Sequence, residues 1–364
     1  MVKIQDIVTY LQQVAPAALQ ESYDNAQLLT GQPDSTVQGL LITLDCTEEV
    51  VDEAISLGTN LIVAHHPVIF GGLKKLTGSN YVERTIIKAI KHDVAILAVH
   101  TNLDKVMPGV SQHLAGRIGL QSIRVLQPER NLRKLVTFIP TEHTRQVLDS
   151  LHAAGAGNIG NYSECSFKIT GKGYFKPNEA ANPAIGQKHV REEVTEDRVE
   201  VIYPAYLSGA ILEALRAAHP YEEVAYYETE LTNANQENGL GAIGELPEPM
   251  SAEAFLQHLQ STLSLACIRH TPFAGEIKKV AVCGGSGAFL LGAARAAGAD
   301  AYITADVKYH EFFDAENRLL FCDIGHYESE VGTKDLLYDL LSKKFTNFAL
   351  HLSKVITNPI RYFY

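Results

Sequence analysis

The amino-acid sequence predicts an α/β protein: a two-lobed, mostly parallel sheet domain covered by helices and interrupted by an inserted α+β domain. Three observations carry that expectation. Short apolar strands alternate with helical stretches over the first third of the chain, and the same alternation returns over the last third. Between them the residues switch to period-two runs. A length of 364 residues exceeds the usual span of one core, in keeping with more than one folding unit.

Residues 2 to 14 read as an amphipathic helix. "VQGLLITLDC" (37 to 46) reads as a strand running into a helix that starts near Thr47, and "NLIVA" (60 to 64) as a second apolar strand. A helical stretch from about Asn80 leads into "VAILAV" (94 to 99), and a further helix follows Pro108. Strands and helices alternating at this spacing imply a mostly parallel sheet with both faces covered. The late part repeats the grammar with "KKVAVCGG" (278 to 285), "GAFLLGAARAAG" (287 to 298), "DAYIT" (300 to 304), "LLFCDIG" (319 to 325) and a helix beginning near His326. From Leu135 to about Leu231 the order is strand, helix, strand, strand, helix, strand, which is the order of a ferredoxin-like unit. The expected divisions are residues 1–130 and 236–364 for the two halves of the α/β domain and 131–235 for the insert. The Asn-, Gly- and Pro-rich stretch 233 to 251 is expected to be a returning linker with one short strand.

Composition narrows the function. The chain has 31 basic and 42 acidic residues, a net charge of −11, and the two signs are mixed along it. No basic stripe is present, which argues against nucleic acid or an anionic membrane as partner. Residues 1 to 20 lack a basic stretch followed by an apolar one, and no apolar run approaches membrane-spanning length, so a soluble cytoplasmic protein is expected. Five widely spaced cysteines without a CxxC pair read as buried free thiols. The informative surplus is fourteen histidines.

In open α/β sheets ligands bind beyond the carboxyl ends of the strands. His65 and His66 close "NLIVA", "HTNLD" (100 to 104) follows "VAILAV", "TADVKYHEF" (304 to 312) follows "DAYI", and "GHYESE" (325 to 330) follows "LLFCDI". A helix starting at His326 places Glu330 one turn along on the same face, with about 5–6 Å between their Cβ atoms, so both can reach one ion. Adjacent histidines within a strand point to opposite faces, but past its end a turn can converge them. His65, His66, Asp104, His326 and Glu330 exceed what one tetrahedral catalytic ion needs. Two divalent cations bridged by a carboxylate and a hydroxide would use all five, and mixed nitrogen and oxygen donors suit Zn, Mn, Fe or Co alike. Taken singly, a histidine pair is commoner as a cap or surface turn, and a His/Glu pair four apart as a solvated helix face. Joint placement at strand ends is what favours metal.

Other candidates have two readings each. Asp306, Lys308 and His310 follow a strand end and can bind substrate or form an ordinary helix start, and His100 can contact substrate or be a satisfied core residue. "CGGSG" (283 to 287) can offer backbone N–H groups to phosphate or serve as a packing turn. "YDNAQLLTG" (23 to 31) can face the same cleft or be a turn built on Asp24 and Asn25.

The segments "AHHPVIFGGLKKL", "VHTNLD" and "DIGHYESE" resemble the signatures of the NIF-three-like family, often labelled GTP cyclohydrolase 1 type 2 homologs, over about residues 1 to 125 and 270 to 364. That resemblance implies a dinuclear metal site with His65, His66, Asp104, His326 and Glu330 as ligands, and a toroidal homohexamer arranged as a trimer of dimers. "GNIGNYSECSF" and "AAHPYEEVAYY" resemble the extra PII- and CutA-like domain of longer members. Two motifs depart from the family pattern: Ala26 and Gln27 precede Leu28 where D-N-x-G-L is usual, and Thr304-Ala305-Asp306 stands for T-G-D. Both spare the metal ligands.

Two functions follow. One is a metal-dependent hydrolase of a nucleotide or related small molecule, with Glu330 and His326 as catalytic residues and Asp306, Lys308, His310 and His100 at the substrate. The other is a non-catalytic metal-binding ring whose inserted domain senses a small ligand.

Overall fold

A computed structural model describes residues 1–363, which divide into two compact units: residues 1–127 with 238–363, and residues 128–237. The fold is mixed α/β, with three sheets among the described residues.

In the first unit one sheet has the order Leu28–Thr30, Ala95–Ala98, Leu61–Ala64, Gly39–Thr43, Ala349–Leu352. All neighbours are parallel except the edge strand Leu28–Thr30, which runs antiparallel to Ala95–Ala98. The three inner strands are buried at every position, as strands covered on both faces must be. Helices Glu48–Ser56 and Tyr81–Lys91 supply Val50, Val51, Ala54, Ile86 and Ala89 to a core with Leu41, Ile62 and Ile96. Helix Ile4–Val14 buries Ile4, Ile7, Val8 and Leu11, the stripe expected of period 3.6. At the start of Tyr81–Lys91 the Asn80 side chain accepts from the Glu83 N–H, and the buried Glu83 carboxylate reaches back to the amides and hydroxyls of Thr77 and Ser79.

The second sheet has the order Arg269–His270, Leu320–Asp323, Ala301–Ala305, Glu276–Ser286, Asn235–Ser251, Gln121–Glu129. Its three central strands are parallel, and Arg269–His270 and Asn235–Ser251 pair antiparallel to them. Apolar clusters cover both faces, one around Phe255, Leu259, Val280 and Ile303, the other around Leu290, Leu291, Tyr302 and Phe321. Here the linker expectation is corrected. Residues 235 to 251 form one long strand because Ala242, Ile243 and Leu246 are buried, while Pro247 and Pro249 fall where the register shifts between Glu245 and Met250. A bulge tolerates the missing N–H groups that a regular central strand would not.

In the second unit, strands Leu132–Pro140, Phe167–Phe175, Glu192–Pro204 and Tyr226–Glu230 form an antiparallel sheet, with Phe167–Phe175 beside Glu192–Pro204, then Leu132–Pro140, then Tyr226–Glu230. Helices Thr144–Ala153 and Ser208–Ala218 bury Val147, Leu151, Ile211 and Leu215 against Leu135, Ile139, Val199 and Val201 on one sheet face. The buried Asp197 carboxylate accepts from Thr144, Lys168 and Thr170 on that side.

Candidate metal centre

The carboxyl ends of strands from both sheets of the first unit meet. Asp45 follows Gly39–Thr43, His65 and His66 follow Leu61–Ala64, and His100 follows Ala95–Ala98, with Asp104 ending the single helical turn Thr101–Asp104. From the other sheet, Asp306 follows Ala301–Ala305 and His326 follows Leu320–Asp323, with Glu330 closing helix His326–Glu330. The two adjacent histidines do converge past the strand end: their rings lie 4.9 Å apart, and the His65 and His66 amides donate to the Thr43 and Leu44 carbonyls. Gly325, with φ of 90°, makes the turn that presents His326.

Each imidazole is anchored through Nδ1. His65 donates to the Val99 carbonyl at 2.8 Å, His66 to Asp45 at 2.7 Å, His100 to Asp24 at 2.8 Å and His326 to Asp306 at 2.7 Å. This fixes ring orientation and leaves the four Nε2 atoms for other partners, the arrangement found behind metal-ligating histidines. Asp45 is held in turn by the Thr357 hydroxyl, and Asp24 by the Thr101 amide and hydroxyl.

The Nε2 atoms gather around Glu330. Its Oε2 lies 2.9 Å from His66 and 3.0 Å from His326, while its Oε1 lies 3.9 Å from His65. The Asp104 Oδ1 is 3.7 Å from His65 Nε2, and both of those atoms are buried without a hydrogen-bond partner. Buried polar atoms are normally paired, so two unpaired ones aimed at each other across a gap too long for a hydrogen bond fit a shared cation. The donor atoms fall into groups compact enough to hold a metal ion: His66, His326 and Glu330; His65, Asp104 and Glu330; and His65, His66 and His100.

Charge points the same way. Burial, and then the Glu330 charge, push the Asp104 carboxyl up to about 7. Burial opposes ionisation of Glu330 as well, but His326, His65 and His66 hold its carboxyl well below the usual range. Burial pulls His66 down, and bonds to Asp45 and Glu330 more than reverse it, to about 10; His326 is likewise raised to about 9 by Glu330 and Asp306. Buried carboxylates this close to several imidazoles compete for protons or for a cation.

The whole chain has relatives with this layout. Residues 2–359 match the Duf34/NIF3 (NGG1p interacting factor 3) family. The chain belongs to that family. A Halalkalibacterium halodurans protein named GTP cyclohydrolase 1 type 2 homolog is 39% identical over 98% of both chains. Among solved structures, a Bacillus cereus protein related to NIF3 is 38% identical, with a TM-score of 0.85 over 100% of this chain and 99% of that one. A Staphylococcus aureus protein is 32% identical, with a TM-score of 0.79 over 100% of this chain and 99% of the other.

In this Duf34/NIF3 chain the remaining candidates separate. The His100 ring stands 5.2 Å from His65 and 5.3 Å from His66, inside the cluster, and Asp306 buttresses His326. Lys308 and His310 sit on the exposed turn Tyr309–Ala315 and its flank, where His310 stacks on Phe313; no hydrogen bond or ring contact among the described residues ties either to the cluster. "CGGSG" uses its N–H groups within the protein, Gly284 to Ser111 and Gly285 to Ser329, which is the packing-turn reading. The sequence reading passed over Asp45 and the Val99 carbonyl. Asp45 lies just past a strand end, the very signal that exposed the histidines, whereas nothing in the sequence marks a carbonyl. Among the described residues no helix is long and apolar enough to cross a membrane.

Proposed function

We propose that this protein is a metal-dependent hydrolase acting on a nucleotide or related small molecule, with two divalent cations held by His65, His66, Asp104, His326 and Glu330. The observation that carries the reading is the division of one carboxylate, Glu330 Oε2 toward His66 and His326 and Oε1 toward His65, whose Nε2 also faces Asp104. When bound, such a pair of cations supplies Lewis acidity and a water-derived nucleophile near neutral pH. The residues themselves orient and exclude water. His65 and Glu330 are buried and rigidly held, and the His326 side chain is 36% exposed, so a substrate would approach from its side. Asp45 and Asp306 keep the Nε2 atoms of His66 and His326 directed inward. In this reading Glu330 and His326 stand at the reacting centre, His100 and Asp306 contact the bound portion of the substrate, and Lys308 and His310 meet its outer end.

The name GTP cyclohydrolase 1 type 2 homolog borne by the relatives supports GTP as the first substrate to try. The domain reading is part of the same proposal: two α/β halves, 1–130 and 236–364, flank an insert, 131–235, of PII- and CutA-like ferredoxin type. Its strand order and helices on one face support that assignment. Assembly as a cytoplasmic homohexamer completes the reading.

The test is metal-loaded protein incubated with GTP, other nucleotides and phosphoesters, with formate and phosphate release measured. Turnover that Glu330→Ala abolishes is expected. Silence across the panel with two metals bound would overturn the hydrolase and leave the non-catalytic metal-binding ring.

A further inference from the structure

The second unit has a cavity of about 760 Å³ on the sheet face opposite its two helices, within the size range of small-molecule sites. Residues alternate across a sheet, so Phe138, Ile169, Gly171, Glu196 and Arg198, which pair across three neighbouring strands, all point there. The segment 176 to 190 roofs the space and is tied down by its own bonds, the Asn182 N–H to Glu222 at 2.7 Å and the His189 N–H to Pro177 at 2.8 Å.

Glu196 is the unusual member. It is 8% exposed, and its Oε1 accepts from the Tyr221 hydroxyl at 2.9 Å, a neutral partner. Its carboxylate takes part in none of the ion pairs formed by the described residues. The nearby Arg198 guanidinium is engaged by Glu200 at 2.7 Å, which also takes Lys134 at 3.2 Å. A Cβ on Gly173 would collide with the Glu196 carboxylate, so glycine there is what lets this acid lie along the floor. A buried carboxyl outside any ion pair is costly to charge, and a cationic ligand can supply the missing partner. The walls add a second attraction for cations: Phe138 and Tyr227 rings meet edge to face at 5.7 Å, and Phe175 and Tyr221 at 5.8 Å, a preset aromatic box.

We propose that this cavity is a binding site for a small organic cation, an ammonium or amidinium on an apolar body, whose charge pairs with Glu196 while the aromatic walls take the apolar part. The site lies wholly within the second unit and is independent of the metal centre. Failure of one reading therefore leaves the other untouched.

Isothermal titration of the full chain with 3-phenylpropylammonium, 3-phenylpropan-1-ol and 3-phenylpropanoate separates charge from shape. The cation should bind at least about tenfold tighter than the other two, because only it pairs with the buried carboxylate. Glu196→Gln should reduce it to the level of the alcohol. Gly171→Val should abolish all binding, since a side chain there enters open space in the cavity without striking the protein. Metal content and far-UV circular dichroism of both variants serve as folding controls, and Gly171→Val decides alone if Glu196→Gln fails to fold. Equal affinities in the unaltered protein, or cation binding that survives Gly171→Val, overturn the proposal. So does binding confined to dissociated chains and lost in whatever assembly sedimentation shows, which would give the cavity to a second copy of the chain.

Discussion

The His66 Nε2 lies 2.9 Å from Glu330 Oε2, although 264 residues separate the two in the chain. The contact joins a strand end of one sheet to a helix that follows the other, so the candidate centre exists only when both segments of the first unit have folded together.

The carboxylates behind the histidines should matter nearly as much as the ligands. Asp45→Ala frees His66 Nδ1 and Asp306→Ala frees His326 Nδ1. Each should weaken metal affinity by about 10–100-fold with little change in fold. Competition against a chromophoric chelator measures it; affinities equal to the unaltered protein would show that these bonds merely decorate the rings.

Gly285 should prove intolerant of any side chain. Its φ is +63°, and a Cβ there would run into Glu330 Oε1. Gly285→Ala is expected to displace that carboxylate and lower the metal content, while Gly171→Val in the other unit does not. Elemental analysis of the two variants side by side decides it.

A local pH response follows from Glu83. The amides and hydroxyls of Ser79 and Thr77 hold its carboxyl down at about 2 against an ordinary value of 4.5. Because the folded value is depressed, its stabilising effect is complete above about 4.5 and is lost as pH falls toward about 2. Amide exchange at Thr77 and Ser79, corrected for the intrinsic rate, should show protection at pH 5.5 that declines toward about pH 2.5. In Glu83→Gln the pH dependence should vanish. Equal protection profiles in the two proteins would refute this account of the loop.

Much of the centre was legible because it obeys a rule about place. Polar residues at the ends of apolar strands stand out against "NLIVA" or "LLFCDI", and the His326/Glu330 spacing needs only helical geometry. The anchors were harder. Val99 contributes a carbonyl, which every residue has, and Thr357 reaches Asp45 from a terminal segment without regular structure. Partners chosen by tertiary packing leave no local pattern. Lys308 and His310, picked out by the same rule, lie on an exposed turn and its flank. Strand Asn235–Ser251 hid behind its own glycines and prolines, although the two prolines fall in a bulge rather than a loop.

The most direct test of the central claim is metal stoichiometry by elemental mass spectrometry on protein purified without chelator and on Glu330→Ala prepared alongside. Two divalent ions per chain in the unaltered protein, falling to one or none in the variant, is the predicted result. Fewer than two in the unaltered protein after reconstitution, or two retained without the Glu330 carboxylate, would contradict a centre built around that shared side chain.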